Sequence, residues 1–82
     1  MVTVAYDQHF EDVIKKIKNE DLKEKIKKQI RKIVGDPEVG KPMRYIRKDT
    51  REVRIQPYRL SYIYLKNQDK IVFLELYHKD KQ

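Results

Sequence analysis

The sequence predicts an α+β fold, with an N-terminal strand and a two-helix hairpin packed on one face of a mostly antiparallel four-stranded meander. Two observations carry this. Apolar residues recur at helical spacing as far as Val34 and at alternate positions from Met43 onward. Residues that break regular structure (Asn19, Gly35, Pro37, Pro57 and the run Asn67 to Asp69) fall between those segments. The 82 residues read as one small domain, 1–82, without repeat, linker or low-complexity stretch.

Each element has a local reason. Val2 to Tyr6 is β-branched and apolar and reads as a short strand. Asp7 can cap the helix that follows, whose stripe is Phe10, Val13, Ile14 and Ile17. Asn19 or Asp21 can cap a second helix, with Leu22, Ile26, Ile30, Ile33 and Val34 on one face. Gly35 is placed to end it as a left-handed cap, with Pro37 behind. Met43 to Lys48 reads as a strand, Asp49 and Thr50 as a turn, and Arg51 to Gln56 as the next strand. Pro57 cannot donate to a ladder and marks a strand end. Tyr58 to Lys66 and Lys70 to Tyr77 are the last two strands, joined through Asn67 to Asp69. Lys70 to Tyr77 is the most apolar and is expected to be central.

Alternation assigns the two faces of the sheet. Val53, Ile55, Leu60, Tyr62, Tyr64, Val72, Leu74 and Leu76 are expected to meet the helices. Glu52, Arg54, Arg59, Ser61, Ile71, Phe73, Glu75, Tyr77 and Lys79 are expected on the opposite face, unless a bulge shifts the register.

Charge is unevenly spread. The net charge is +7, yet residues 1–40 hold nine basic and eight acidic residues while residues 41–82 hold eleven and five. The first half is a nearly self-neutral helical surface. The second half is cationic, which implies an anionic partner such as nucleic acid, a ribosome or an acidic protein. The chain has no cysteine, which excludes disulfides and thiolate chemistry. Its apolar runs are too short to span a bilayer and its first residues do not resemble a signal peptide, so a cytoplasmic protein without membrane contact is expected. His9 and His78 lie far apart without ligand spacing, so neither a metal nor another cofactor is expected.

The order Gly40-Lys41-Pro42, then Arg54-Ile55 leading into Tyr58-Arg59-Leu60, then Tyr77-His78-Lys79 resembles the RelE/ParE superfamily of toxins. It is most similar to the RelE type and to archaeal members of it, and the likeness covers nearly the whole chain. The resemblance implies the toxin of a type II toxin–antitoxin system. RelE-type toxins enter the ribosomal A site and cut the mRNA codon there, and an antitoxin wraps and blocks them. The implied partners are the ribosome, A-site mRNA and an acidic RelB-like antitoxin in a hetero-oligomer.

The resemblance also implies roles for residues. Arg54 and Arg59 match basic positions of the strands lining the catalytic cleft and are candidates for phosphate binding. Lys79 stands where the family usually has arginine, and can hold a phosphate or donate a proton. Glu52 stands where many members have a basic residue proposed as general base. A carboxylate there can serve as base, or can pair with Arg54 or Arg59. The family's base-stacking tyrosine lies in a C-terminal extension; Tyr77 is the candidate to stack in its place, and otherwise packs within its strand. An imidazole ordinarily titrates near neutrality, so His78 is a candidate acid or base, although its parity places it with the helix-facing set. His9 is expected to be structural. Lys41, Arg44, Arg47, Lys48 and Arg51 are expected to steer the protein towards RNA, with strongly salt-dependent binding. Two other classes stay open: a ParE-like gyrase inhibitor, and a non-catalytic RNA- or protein-binding module.

Overall fold

The computed structural model describes residues 2–43 and 49–81. The element order is β1 (Thr3–Tyr6), α1 (Gln8–Lys16), α2 (Glu20–Gly35), β2 (Lys41–Pro42), β3 (Thr50–Ile55), β4 (Tyr58–Leu65) and β5 (Lys70–His78). Short 3-10 turns follow β4 at Lys66–Gln68 and β5 at Lys79–Lys81. The strands form one sheet in the order β1-β5-β4-β3-β2, with β1 parallel to β5 and the rest antiparallel. This is the expected α+β architecture of two helices on a sheet. β4 is the middle strand, with the apolar β5 between it and β1.

The caps explain where the helices begin. The Asp7 side chain accepts from the His9 N–H, and the Asn19 side chain accepts from the Leu22 N–H, so each helix start has an acceptor for an orphan donor. α2 does not end on a left-handed glycine as expected. Gly35 is its last helical residue, and the Asp36 N–H closes the end by donating to Lys32 O and Ile33 O. α1 lies over β5 and α2 over β3. Phe10, Ile26 and Ile33 from the helices meet Ile55, Leu60, Tyr62, Ile71, Phe73 and Leu76 from the sheet to form the core. Val34, expected on the apolar stripe of α2, is exposed instead. The helices flank a groove of about 380 Å³ floored by Phe10, Ile14, Ile26 and Ile30. Among the described residues no helix is long and apolar enough to cross a membrane.

The faces of β3 and β4 follow the alternation, and those of β5 follow it only in part. The register runs Ser61 to Glu75 and then Tyr62 to Phe73, so Leu74 is an extra residue on β5. A bulge of one residue flips every side chain beyond it. Ile71 and Phe73 are therefore fully buried in the core, not on the opposite face, whereas Val72 and Leu74 are only half-buried. Glu75 and Tyr77 lie on the other side of the bulge and keep their expected face.

The strand expected over Met43–Lys48 falls almost wholly outside the described residues. The described strand before β3 is Lys41–Pro42, paired with Arg51 and Glu52, and residues 44–48 lie outside the described residues. Asp49 takes a left-handed turn conformation (φ 70°) and Thr50 already belongs to β3.

Candidate functional site: a charged row across the open face of the sheet

Cross-strand partners in a sheet project to the same face. Arg54 of β3 is registered with Arg59 of β4, and Arg59 with Tyr77 of β5, so the three form one row across the face turned away from the helices. The next row is Glu52, Ser61 and Glu75, with Lys41 of β2 registered beside Glu52. The Lys79 N–H donates to Pro57 O, which fixes the start of the last turn beside the β3–β4 connection, at the same end of the sheet as Arg54 and Arg59.

The two arginines differ in what holds them. Arg59 Nη1 donates to Glu52 Oε1 at 2.8 Å, and both side chains are half-buried. Tyr77 Oη donates to the other carboxylate oxygen, Glu52 Oε2, at 2.6 Å. The Arg54 guanidinium is exposed, and among the described residues it has neither an ion pair nor a hydrogen bond. Like charges directly opposite one another on a sheet are unfavourable. Two arginines in direct register, only one of them paired with a carboxylate, therefore leave this end of the face poised to accept an anion.

The other expected site residues are placed elsewhere or differently. Lys41 is exposed on β2. Arg44, Arg47 and Lys48 lie outside the described residues. Arg51, expected to steer towards RNA, is committed to the fold on the helix side of the sheet. Its Nη1 donates to Glu38 O at 2.9 Å and to Gly40 O at 2.7 Å, and its Nη2 lies 3.8 Å from the Glu38 carboxylate. His78 is registered with Tyr58, meets its ring edge-on at 5.5 Å, and so sits on the opposite face from Tyr77. Its Nδ1 accepts from the Asp80 N–H at 3.2 Å. The structure thus brings Glu52, Arg54, Arg59 and Tyr77 together, with Lys79 at the same end, and does not bring His78 to them.

Beside Arg51, the Tyr62 hydroxyl donates to Pro37 O at 2.8 Å and accepts from the Gly40 N–H at 2.9 Å. Burial pushes the Tyr62 phenol above its ordinary value of 10.0, partly offset by that N–H. A Cβ on Gly40 would stand 2.6 Å from the same hydroxyl, so the glycine of the Gly40-Lys41-Pro42 step is required for close approach. Sequence reasoning did not foresee this clamp. Its partners are backbone carbonyls in an irregular loop, which leave no pattern in the residue types. Among the described residues no cluster of His, Asp or Glu is placed to hold a metal ion.

A family model for the ParE toxin of type II toxin–antitoxin systems matches residues 2–82. The chain belongs to this toxin family, within the RelE/ParE superfamily. No curated protein matches it. Solved structures of RelE toxins share its fold. The isolated E. coli RelE toxin superimposes with a TM-score of 0.83 at 13% identity, covering 100% of this chain and 88% of that one. The toxin chain of the intact E. coli RelBE toxin–antitoxin complex gives 0.81 at 16% identity, covering 95% and 96%. The RelBE2 toxin–antitoxin complex of Mycobacterium tuberculosis gives 0.77 at 24% identity, covering 95% and 98%. In this RelE/ParE toxin the Arg54–Arg59–Tyr77 row lies on the face that the helices leave open.

Proposed function

We propose that this RelE/ParE toxin is a ribosome-dependent endoribonuclease that cuts mRNA in the A site and is neutralised by a cognate antitoxin. The observation that carries the reading is the direct register of Arg54 with Arg59, beside Tyr77, on the open face. The chemistry has three tasks. The ribose 2′-OH must lose its proton and attack the adjacent phosphorus. The charge that builds on the phosphate oxygens must be stabilised. The departing 5′-oxygen must gain a proton. The products are a 2′,3′-cyclic phosphate and a 5′-OH, and the route needs no metal.

The second task suits arginine, whose planar fork binds two phosphate oxygens and never titrates. Arg54 and Arg59 take that role. Lys79, at the same end of the sheet, holds the phosphate as a point charge or protonates the leaving oxygen. Tyr77 supplies an aromatic face at the end of the row. Solved complexes of RelE toxins with their antitoxins support a cognate antitoxin partner; an acidic segment that folds as it covers the cationic face is the form this charge favours.

The test is mRNA cleavage in a reconstituted translation reaction with stalled ribosomes. Cuts within the A-site codon are expected from the intact protein and are lost in Arg54→Ala and in Arg59→Ala. No cleavage by the intact protein would overturn the reading.

The family match to ParE toxins favours one second reading, inhibition of DNA gyrase without RNA cleavage. The same protein expressed alone would then arrest replication and leave translation running.

A further inference from the structure

Among the described residues Glu52 is the carboxylate paired with the arginine row, and binding a phosphate does not require it. A surface built only for affinity would leave it out, because it cancels a positive charge where an anion is to bind. Both of its oxygens face protein donors: Oε1 takes the Arg59 Nη1–H at 2.8 Å and Oε2 takes the Tyr77 hydroxyl at 2.6 Å. The Arg59 and Glu52 side chains keep only 19% and 14% of their exposure, so the contact is shielded from competing water.

We propose that Glu52 is a positioning residue. It fixes one edge of the Arg59 guanidinium and the Tyr77 ring so that both are already in place when a single-stranded RNA phosphate arrives. This rests on the phosphate-binding role of Arg59. Arginine has five donors in a rigid fork, and Glu52 occupies only Nη1. Nε and Nη2 make no hydrogen bond among the described residues and stay available to phosphate oxygens. A side chain ordered in advance loses less freedom on binding. Arg54, directly across the ladder, has no such anchor among the described residues and closes on the phosphate from the other side. Glu52 therefore trades some electrostatic attraction for geometry.

Charge and geometry predict opposite signs, and that makes the inference testable without any cleavage. The probe is a short single-stranded 2′-O-methyl RNA, which cannot be cut, at low ionic strength where a net charge of +7 ensures measurable binding. Both Glu52→Gln and Glu52→Ala remove the negative charge, but only glutamine can still hold Arg59. If Glu52 positions Arg59, glutamine binds about 2-fold tighter than the intact protein and alanine about 3-fold weaker. If Glu52 is mere surface charge, both variants bind tighter by the same factor, and the inference is overturned. Should Glu52→Ala not fold, Tyr77→Phe decides. It removes only the hydroxyl that seats the carboxylate, and about 2-fold weaker binding supports the inference while unchanged binding overturns it. A failure of A-site cleavage by the intact protein would end the nuclease reading and leave this ordering of affinities to be judged on its own.

Discussion

Arg51 and Arg54 stand three residues apart on β3, and odd and even positions of one strand have given them opposite work. Arg51 lies on the helix side, beside Tyr62, and donates to the carbonyls of Glu38 and Gly40. Arg54 lies on the open side, registered with Arg59, and its guanidinium has no partner among the described residues. Composition alone makes both part of one basic stretch. What separates them is where their donors go. An arginine whose donors are used on backbone carbonyls is part of the scaffold. An arginine facing another arginine can be satisfied by an anion brought from outside.

The contrast can be broken most sharply at Gly40. Gly40→Ala would press a methyl against the buried Tyr62 hydroxyl and displace the loop that Arg51 holds. We expect a loss of about 3 kcal/mol in urea unfolding, from overpacking and a lost hydrogen bond together. Arg51→Ala removes two charge-assisted bonds to carbonyls and should cost about 2 kcal/mol in the same experiment. A loss under about 0.5 kcal/mol would return Arg51 to the surface class.

Tyr62→Phe strands the buried Gly40 N–H and should cost about 1–2 kcal/mol. The phenol also has an alkaline signature. Its folded value is raised above 10.0, so its contribution is whole below pH 10 and is lost as pH climbs through the raised value. Over that window the folded state keeps a proton that the unfolded state has released. Stability should therefore fall by up to about 1.4 kcal/mol per pH unit, and this part of the fall should vanish in Tyr62→Phe. Arg54→Ala is the smallest expected effect. Relieving the repulsion across the ladder should leave thermal stability unchanged or slightly raised, within about 0.5 kcal/mol.

Much of this contrast was legible in the sequence, and the missing parts have physical causes. Val53 and Ile55 fix the parity of β3, because charged residues alternate with them, and that parity alone puts Glu52 and Arg54 on the open face. The same rule puts Arg51 on the helix side, but its partners could not be read. They are carbonyls 11 and 13 residues away in a loop that has no periodicity. β5 hid its bulge for a different reason. Ile71, Val72, Phe73 and Leu74 are all apolar, so either parity looks plausible and nothing marks Leu74 as the extra residue. The end of the strand kept its expected face because Glu75 and Tyr77 are read from the β4 side of that bulge. Helix caps at Asp7 and Asn19 were readable because the acceptor is local. Gly35 was misjudged as a left-handed cap because the α2 terminus is closed by the Asp36 N–H instead.

The central claim is that the open face, not the Arg51 side, takes the phosphate. The salt dependence of binding to a short single-stranded RNA tests it most directly, measured for the intact protein, Arg54→Ala and Arg51→Ala under conditions where each is folded. A single lost phosphate contact flattens the slope of log affinity against log salt by about 0.7. The account predicts that flattening for Arg54→Ala and an unchanged slope for Arg51→Ala. Equal flattening in both variants, or none in Arg54→Ala, would contradict it.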